Sequence, residues 1–376
     1  MKSSEIRRWR RREVLQVGFS AAAMALHSTL PRPLQAATDE KRVRPGQEDF
    51  ERAADYSERW GGWSTLVFYD GRIAFERYAR GADANTAIQM ASATKSFWGV
   101  AAAAMVEEGL LEFDERAADT LTEWAGDPLR GTITVRHLLD LSSGLAEDVP
   151  AIQGSDSKPT WAENKYTYAV GLAGRAEPGR VFRYGPSHFY CFGELIRRKL
   201  EPRKQSPLDY LRARVLDPIG CQFEKWVHDG AGNVHIPNGC YMTAREWLKF
   251  GRLVLDRGRW EGAQIVAPEP LAECFRPSAA NPGYGLTWWL NFPDGQGVSP
   301  RQKAPEGSPG GCIYHDGLTD IAGALGAGRN GLYVVPSLEL IVVRQISNEN
   351  TPNEDRQRFG RGFSDHDFLA PLFGTA

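Results

Sequence analysis

The 376-residue chain lacks the motifs that mark several large enzyme classes. It contains no Walker-type phosphate loop, no His-Glu-x-x-His and no Gly-x-Ser-x-Gly. These absences argue against a P-loop nucleotide hydrolase, a zinc peptidase of the His-Glu-x-x-His type and an α/β-hydrolase. Any catalytic site must therefore be built from residues outside these motifs. A long hydrophobic run is missing too, because the apolar stretch over residues 14–26 is too short for a comfortable membrane span.

An excess of positive charge is also missing. Residues 1–37 carry seven of the 45 Lys and Arg residues and two of the 47 Asp and Glu residues, which leaves a formal net charge of −7 for residues 38–376. An acidic chain without a basic cluster is a poor candidate for binding nucleic acid or anionic membranes.

Cysteines are few, and their five positions form no Cys-x-x-Cys pair. A disulfide between Cys221 and Cys240 is possible in an oxidising compartment. Free, buried thiols are favoured, because a chain that folds before export would fold in a reducing cytoplasm.

Residues 1–37 have the composition of an export signal. Arg11 and Arg12 precede a stretch that carries no charge between Glu13 and Arg32, a pattern typical of twin-arginine signals. We therefore expect the twin-arginine export machinery to bind residues 1–37 and deliver the chain to the periplasm or the outside of a bacterial cell. A basic disordered tail and an uncleaved membrane anchor are the alternatives. Fractionation of cells that produce the full chain would distinguish them.

The first β-rich segments, 64–69 and 72–78, flank Asp70-Gly71, a typical hairpin turn. A second hairpin is predicted from residues 331–335 and 338–343. Because strands occur near both ends of the chain, they predict one sheet built from the two termini.

Helices at 49–60 and 363–373 are predicted to flank this sheet, whereas the middle of the chain is rich in helices and loops. The predicted organisation is a sheet domain from residues 38–115 and 240–376, with a mainly helical inserted domain over residues 116–239.

Ser92 and Lys95 form a Ser-x-x-Lys pair at the start of an apolar helix. The helix is predicted over residues 94–106, and Gly109 is a stop signal. Residues three apart share a helix face, so the hydroxyl and the amine can act as nucleophile and base. Serine needs a base because its proton leaves as it attacks. An amine accepts that proton only when neutral, and both burial and the positive end of a helix disfavour an ammonium.

The spacing alone is weak evidence, since a capping serine and a surface lysine would also fit it. Ser155 and Lys158 share the spacing, but Gly154, Asp156 and Pro159 surround them and no apolar helix begins there. That second pair therefore predicts a solvated loop.

Four further segments follow Ser92 in a specific order. They are residues 134–145, 178–184, 242–248 and 284–289. Together with Ser92 and Lys95, they resemble the serine β-lactamase and penicillin-binding superfamily, in its class C-like branch of esterases, amidases and D-amino-acid peptidases, including proteins like 6-aminohexanoate-dimer hydrolase. The resemblance covers roughly residues 50–350. It implies an α/β (α+β) fold, an antiparallel sheet flanked by helices with a helix-and-loop-rich inserted domain.

The chain departs from this family at the second motif, usually Tyr-x-Asn. Here the sequence is Tyr184-Gly185-Pro186, so the tyrosine is present but the amide is replaced by proline. Ser187 and His188 are candidates to compensate for the missing amide.

The family's third motif, Lys-Thr-Gly, is absent as well. Gly326, Ala327, Gly328 and Arg329 resemble the glycine-rich version of the amidase-like and esterase-like members. Small residues there let substrate approach a strand edge, where a backbone N–H can stabilise an oxyanion. A plain glycine-rich turn is the alternative. Arg329 is the candidate cation in place of the missing lysine.

Histidine and aspartate occur together in two further places. His228 and Asp229 precede His235, and Asp316 follows His315. Surface or hydrogen-bonding roles are favoured over metal ligation, and neither a metal nor another cofactor is expected.

The resemblance and the residues together predict an exported serine hydrolase that cleaves a small-molecule ester or amide through an acyl-enzyme on Ser92. Lys95 and Tyr184 would share the proton, with Tyr184 also donating to the leaving group. A β-lactamase or D,D-peptidase is the alternative enzyme, and a non-catalytic binding protein of the same fold is the alternative of another class. The oligomeric state is left open.

Overall fold

The computed structural model describes residues 44–147, 162–292 and 312–374, without the side chains of residues 356–360. The signal predicted in residues 1–37 and the loop predicted around Ser155 lie outside these residues, so both stay predictions. In the described ranges, no helix is long and apolar enough to cross a membrane.

Short strands and longer ones alternate with helices along the chain. The strands are β1 (Ser64–Tyr69), β2 (Arg72–Tyr78), β3 (Ile88–Gln89), β4 (Lys225–Trp226), β5 (Cys240–Met242), β6 (Arg259–Trp260), β7 (Ala263–Gln264), β8 (Trp289–Leu290), β9 (Ala322–Gly326), β10 (Asn330–Val335) and β11 (Leu340–Gln345). The α-helices are α1 (Gln47–Arg59), α2 (Lys95–Glu107), α3 (Val135–Leu139), α4 (Lys165–Val170), α5 (Ser187–Leu200), α6 (Pro207–Leu211), α7 (Ala244–Leu255), α8 (Pro268–Ala272), α9 (Asn353–Gly362) and α10 (Asp365–Leu369).

Both predicted hairpins are confirmed. Between β1 and β2, Asp70 and Gly71 both have positive φ, 53° and 73°, as the two-residue turn favoured by strand twist requires. The second hairpin joins β10 to β11. The helix predicted over 363–373 is split into α10 and a 3₁₀ turn, Ala370–Phe373.

A six-stranded antiparallel sheet in the order β2-β1-β11-β10-β9-β8 lies at the centre of the fold. Strand β1 pairs with β11, with Val67 opposite Val342, so the two ends of the chain meet in one sheet as predicted. This arrangement confirms the predicted α/β (α+β) class. The described residues after Ala37 form one compact unit, and the boundaries proposed for an inserted domain stay a prediction.

Helix α2 lies in the interior of the fold. Its residues from Lys95 to Met105 are all buried, as expected for a helix that is apolar all round. Helix α7 instead has one apolar face, and Gly251 on that face packs against the sheet: a Cβ there would lie 2.8 Å from Leu332 Cδ1. The first turn of α2, which carries Lys95 of the Ser-x-x-Lys pair, is thus held by the core.

A second, three-stranded sheet in the order β3-β5-β4 links the start of α2 to residues 237–242. The Met90 N–H donates to the Cys240 carbonyl at 2.9 Å, and the Cys240 N–H donates to Thr94 Oγ1 at 3.3 Å. These bonds place residues 237–242 alongside Ser92.

Candidate active site

Ser92 lies in a 3₁₀ turn, Ala91–Thr94, that leads directly into α2. Ala91 has a φ of 49°, a left-handed conformation that is uncommon outside glycine and often marks a functional site. Ser92 is partly exposed, whereas Ala91, Ala93 and Thr94 are buried. The turn therefore presents the Ser92 side chain at the surface of an otherwise buried segment.

Lys95 is buried, with 2% of its surface exposed, which excludes the alternative of a surface lysine. Its Nζ donates to the Pro237 carbonyl at 3.0 Å and lies 5.0 Å from the centre of the Tyr184 ring. Within the described residues Ser92 Oγ and Lys95 Nζ form no hydrogen bond with each other, and such bonds in free enzymes often tighten only when substrate binds.

Tyr184 lies in an irregular segment before α5 and is half-buried. Its ring stacks on Trp289, with 5.7 Å between ring centres and 27° between planes. A second tyrosine, Tyr284, is close enough that burial and the neighbouring Tyr184 raise the pKa of Tyr284 well above its usual value. The structure thus brings Lys95 and Tyr184 together, as predicted from residues 89 positions apart in sequence.

The end of β9 lies against the Ser92 turn. A Cβ on Gly326 would be 2.1 Å from the Met90 carbonyl oxygen and 3.1 Å from the Ala93 backbone nitrogen. Only glycine permits this approach. The glycine-rich segment therefore lies next to the turn that carries Ser92, as the sequence predicts.

Beyond Gly326 the chain makes a tight turn in which Gly328 and Arg329 have φ values of 74° and 70°. The fully buried Arg344 of β11 holds this turn, because its Nη1 donates to the Arg329 carbonyl at 2.8 Å and its Nη2 donates to the Trp60 carbonyl at 2.7 Å. The Arg329 side chain lies 4.0 Å from the Asp365 carboxylate. The guanidinium predicted as a substrate cation thus forms a long ion pair with an acidic group of α10.

Gly326→Ala is expected to lower kcat by about 10–100-fold, because an added Cβ pushes the strand end away from Ser92 and small displacements in active sites are costly. Overpacking should also cost about 1–3 kcal/mol of stability. Rates on p-nitrophenyl butyrate and thermal unfolding measure both effects.

Gly251→Ala is the matched control, since its Cβ would meet Leu332 Cδ1 at 2.8 Å and Ile341 Cγ2 at 3.1 Å where α7 packs against the sheet. It should destabilise the fold while the folded fraction keeps its kcat. Equal kcat losses in the two variants would contradict a special role for Gly326.

Ser187 and His188 do not replace the missing amide, because both side chains are fully buried at the start of α5. Ser187 Oγ donates to Glu147 Oε2 at 2.7 Å. His188 Nε2 lies 2.9 Å from the Arg183 carbonyl oxygen and 3.2 Å from Glu147 Oε1. Because a carbonyl can only accept, Nε2 carries the proton. These contacts fix the backbone on both sides of Tyr184.

Two contributors to the site, the Pro237 carbonyl and Glu147, have no sequence motif that links them to Ser92. Glu147 comes two residues after the Ser-Ser-Gly-Leu segment, a position with no chemical signature of its own. Trp289 belongs to a pair of adjacent tryptophans, which from the sequence could equally line a pocket or pack in the core. The structure stacks the Trp289 ring on Tyr184.

The remaining candidates from the sequence are the histidines and aspartates considered as metal ligands and the five cysteines. Asp229 accepts hydrogen bonds from the backbone N–H groups of Lys165, Ala231 and Asn233. Among the described residues, no group of three or more His, Cys, Asp and Glu side chains could hold a metal ion. All five cysteines are free and buried, and burial raises the pKa of the Cys221 and Cys240 thiols.

Comparisons with known proteins show the family and the fold of the chain. A family model described as Beta-lactamase matches residues 44–361. An uncharacterized protein from Alkalihalophilus pseudofirmus is 23% identical over 321 residues, which are 80% of this chain and 89% of the relative. A candidate 6-aminohexanoate-dimer hydrolase from Bacillus anthracis superposes with a TM-score of 0.65 at 19% identity, covering 86% of this chain and 85% of that chain. EstCE1, a hydrolase with promiscuous acyltransferase activity, gives 0.58 at 15% identity, covering 88% and 100%.

Proposed function

Because the chain belongs to the β-lactamase family, we propose that it is a serine hydrolase that cleaves an ester or amide through an acyl-enzyme on Ser92. The observation that carries this proposal is the convergence of three groups on one site. Ser92 is partly exposed in its turn, Lys95 is buried three residues further on at the start of α2, and the Tyr184 ring lies 5.0 Å from the lysine Nζ.

In the proposed reaction, Ser92 Oγ attacks the carbonyl carbon of the substrate while its proton passes to the Lys95–Tyr184 pair. The oxyanion forms between the Ser92 N–H and a backbone N–H of residues 326–328, which the close approach of Gly326 brings beside the serine. Tyr184 then donates a proton to the leaving oxygen or nitrogen as its bond to carbon breaks. A water molecule, deprotonated by the same pair, releases the acid and restores Ser92.

Two groups that would bind a β-lactam, an amide donor and a free cation, are not offered by the described residues of this site. Pro186 has no side-chain donor where the lactamase-like members have an amide. Arg329, the candidate cation for a β-lactam carboxylate, is held near Asp365 at 4.0 Å. A simple acyl ester needs neither contact. The names of the two solved structures, a candidate 6-aminohexanoate-dimer hydrolase and a hydrolase with promiscuous acyltransferase activity, support ester or amide cleavage.

The deciding comparison is nitrocefin against p-nitrophenyl butyrate at equal enzyme concentration. Each lost polar contact is worth about 1–3 kcal/mol, so we expect kcat/KM on nitrocefin to lie roughly 10²–10⁴-fold below that of a true β-lactamase. The butyrate ester should be hydrolysed readily. Faster turnover of nitrocefin than of the ester would favour a β-lactamase or D,D-peptidase instead.

A further inference from the structure

The indole of Trp289 is enclosed by the aromatic rings around the site. Trp289 lies on β8, opposite Gly323 of β9, and is 4% exposed. It stacks on Tyr184 at 5.7 Å and meets Tyr284 and Phe182 edge to face at 4.7 and 6.0 Å. A ring held by a strand pair and two other rings has few ways to move.

The Tyr184 ring has a second fixed neighbour in the Lys95 side chain, whose Nζ lies 5.0 Å from the ring centre. That nitrogen is itself fixed by its hydrogen bond to the Pro237 carbonyl at 3.0 Å. Within the described residues, no hydrogen bond holds the Tyr184 hydroxyl. The direction of the hydroxyl therefore depends on what contacts the faces of the Tyr184 ring, namely the Lys95 Nζ and the Trp289 indole.

We propose that Trp289 is a positioning residue, which holds the Tyr184 ring so that its hydroxyl points at the leaving group. This inference rests on the proposed function, in which Tyr184 protonates that group. The proton matters most when the leaving group is a poor one. A p-nitrophenolate departs without a proton, whereas an alkoxide must receive the Tyr184 proton as the carbon–oxygen bond breaks.

The test compares two butyrate esters, p-nitrophenyl and ethyl, in Trp289→Met, Trp289→Phe and the matched control Trp288→Met. Trp288 is also fully buried, but its ring contacts are Phe250 and Phe275. We expect Trp289→Met to lower kcat/KM on the ethyl ester by about 10–100-fold, with a much smaller loss on the p-nitrophenyl ester. The two esters form the same butyryl-enzyme, so kcat/KM, which reports acylation, isolates the step in which their leaving groups differ. Trp289→Phe, which keeps a ring, should recover most of the loss.

Equal losses on the two esters in Trp289→Met, or the same ester bias in Trp288→Met, would overturn the proposal and leave Trp289 as core packing. If Trp289→Met does not fold, Trp289→Leu against Trp288→Leu decides in the same way, by the presence or absence of a bias against the ethyl ester.

Tyr184→Phe tests proton donation by Tyr184 separately from the positioning role of Trp289. It should show the same ester bias, and adding Trp289→Met to it should not enlarge that bias. A Tyr184→Phe enzyme without bias would refute the acid role of Tyr184 in the proposed function. If Tyr184→Phe shows the expected larger loss on the ethyl ester and Trp289→Met does not, only the role of Trp289 is refuted.

Discussion

Ser92→Ala is expected to abolish hydrolysis, with kcat on p-nitrophenyl butyrate reduced roughly 10³–10⁶-fold, as when other covalent nucleophiles are removed. The fold should be unchanged, because the substitution removes one oxygen from a partly exposed side chain at a helix start. Rates with purified protein and thermal unfolding measure the two expectations.

Ser96→Ala is the matched control on the same helix. Ser96 is fully buried and its Oγ donates to the Ala93 carbonyl at 2.7 Å, so it is not available for attack, and its loss should leave kcat within a few-fold. A fluorophosphonate probe should label the wild type at Ser92 and fail to label Ser92→Ala. Labelling at another serine would remove Ser92 from the mechanism, and no labelling at all would favour the non-catalytic binding protein.

Lys95→Met is expected to lower kcat by more than about 10²-fold, the usual size of general-base assistance. Methionine fills much of the same buried space but cannot accept a proton. The Pro237 carbonyl, which loses its donor at 3.0 Å, adds a stability cost of about 1–3 kcal/mol. Rates and unfolding midpoints separate the two effects.

Lys249→Met serves as the control, since this lysine pairs with Glu246 on α7 and takes no part in the site. Near-normal activity of Lys95→Met, or an equal loss of activity in Lys249→Met, would rule out the shared base.

Much of the fold could be predicted because its signals are local. Asp70-Gly71 between β-rich segments, the uninterrupted apolar residues after Lys95 and Gly109 as a stop each act over a few residues. The sequence predicted the helix that follows Ser92. It did not indicate that the Ser92 turn would be 3₁₀ or that Ala91 would adopt a positive φ.

The surroundings of the site could be predicted only in part. Ser92 and Lys95 are close in sequence, and Tyr184 was found through its family motif. The stack of Trp289 on Tyr184 and the Pro237 carbonyl at Lys95 join residues more than 100 positions apart, which no periodicity encodes. The pairing of Arg329 with Asp365 likewise depends on where the last helix packs.

The pairing of β1 with β11 affects how the protein is made. Ser64 Oγ donates to the Gln345 side chain, 281 residues further along the chain. At about 5–20 residues per second, synthesis leaves the first hairpin without its partner for roughly 15–60 s. A lone hairpin is marginal in water, and this one carries Leu66 and Val67, which are fully buried in the finished sheet. The nascent chain thus exposes an apolar segment throughout most of its synthesis, and chaperones that bind such segments would protect it from aggregation until the last strands arrive.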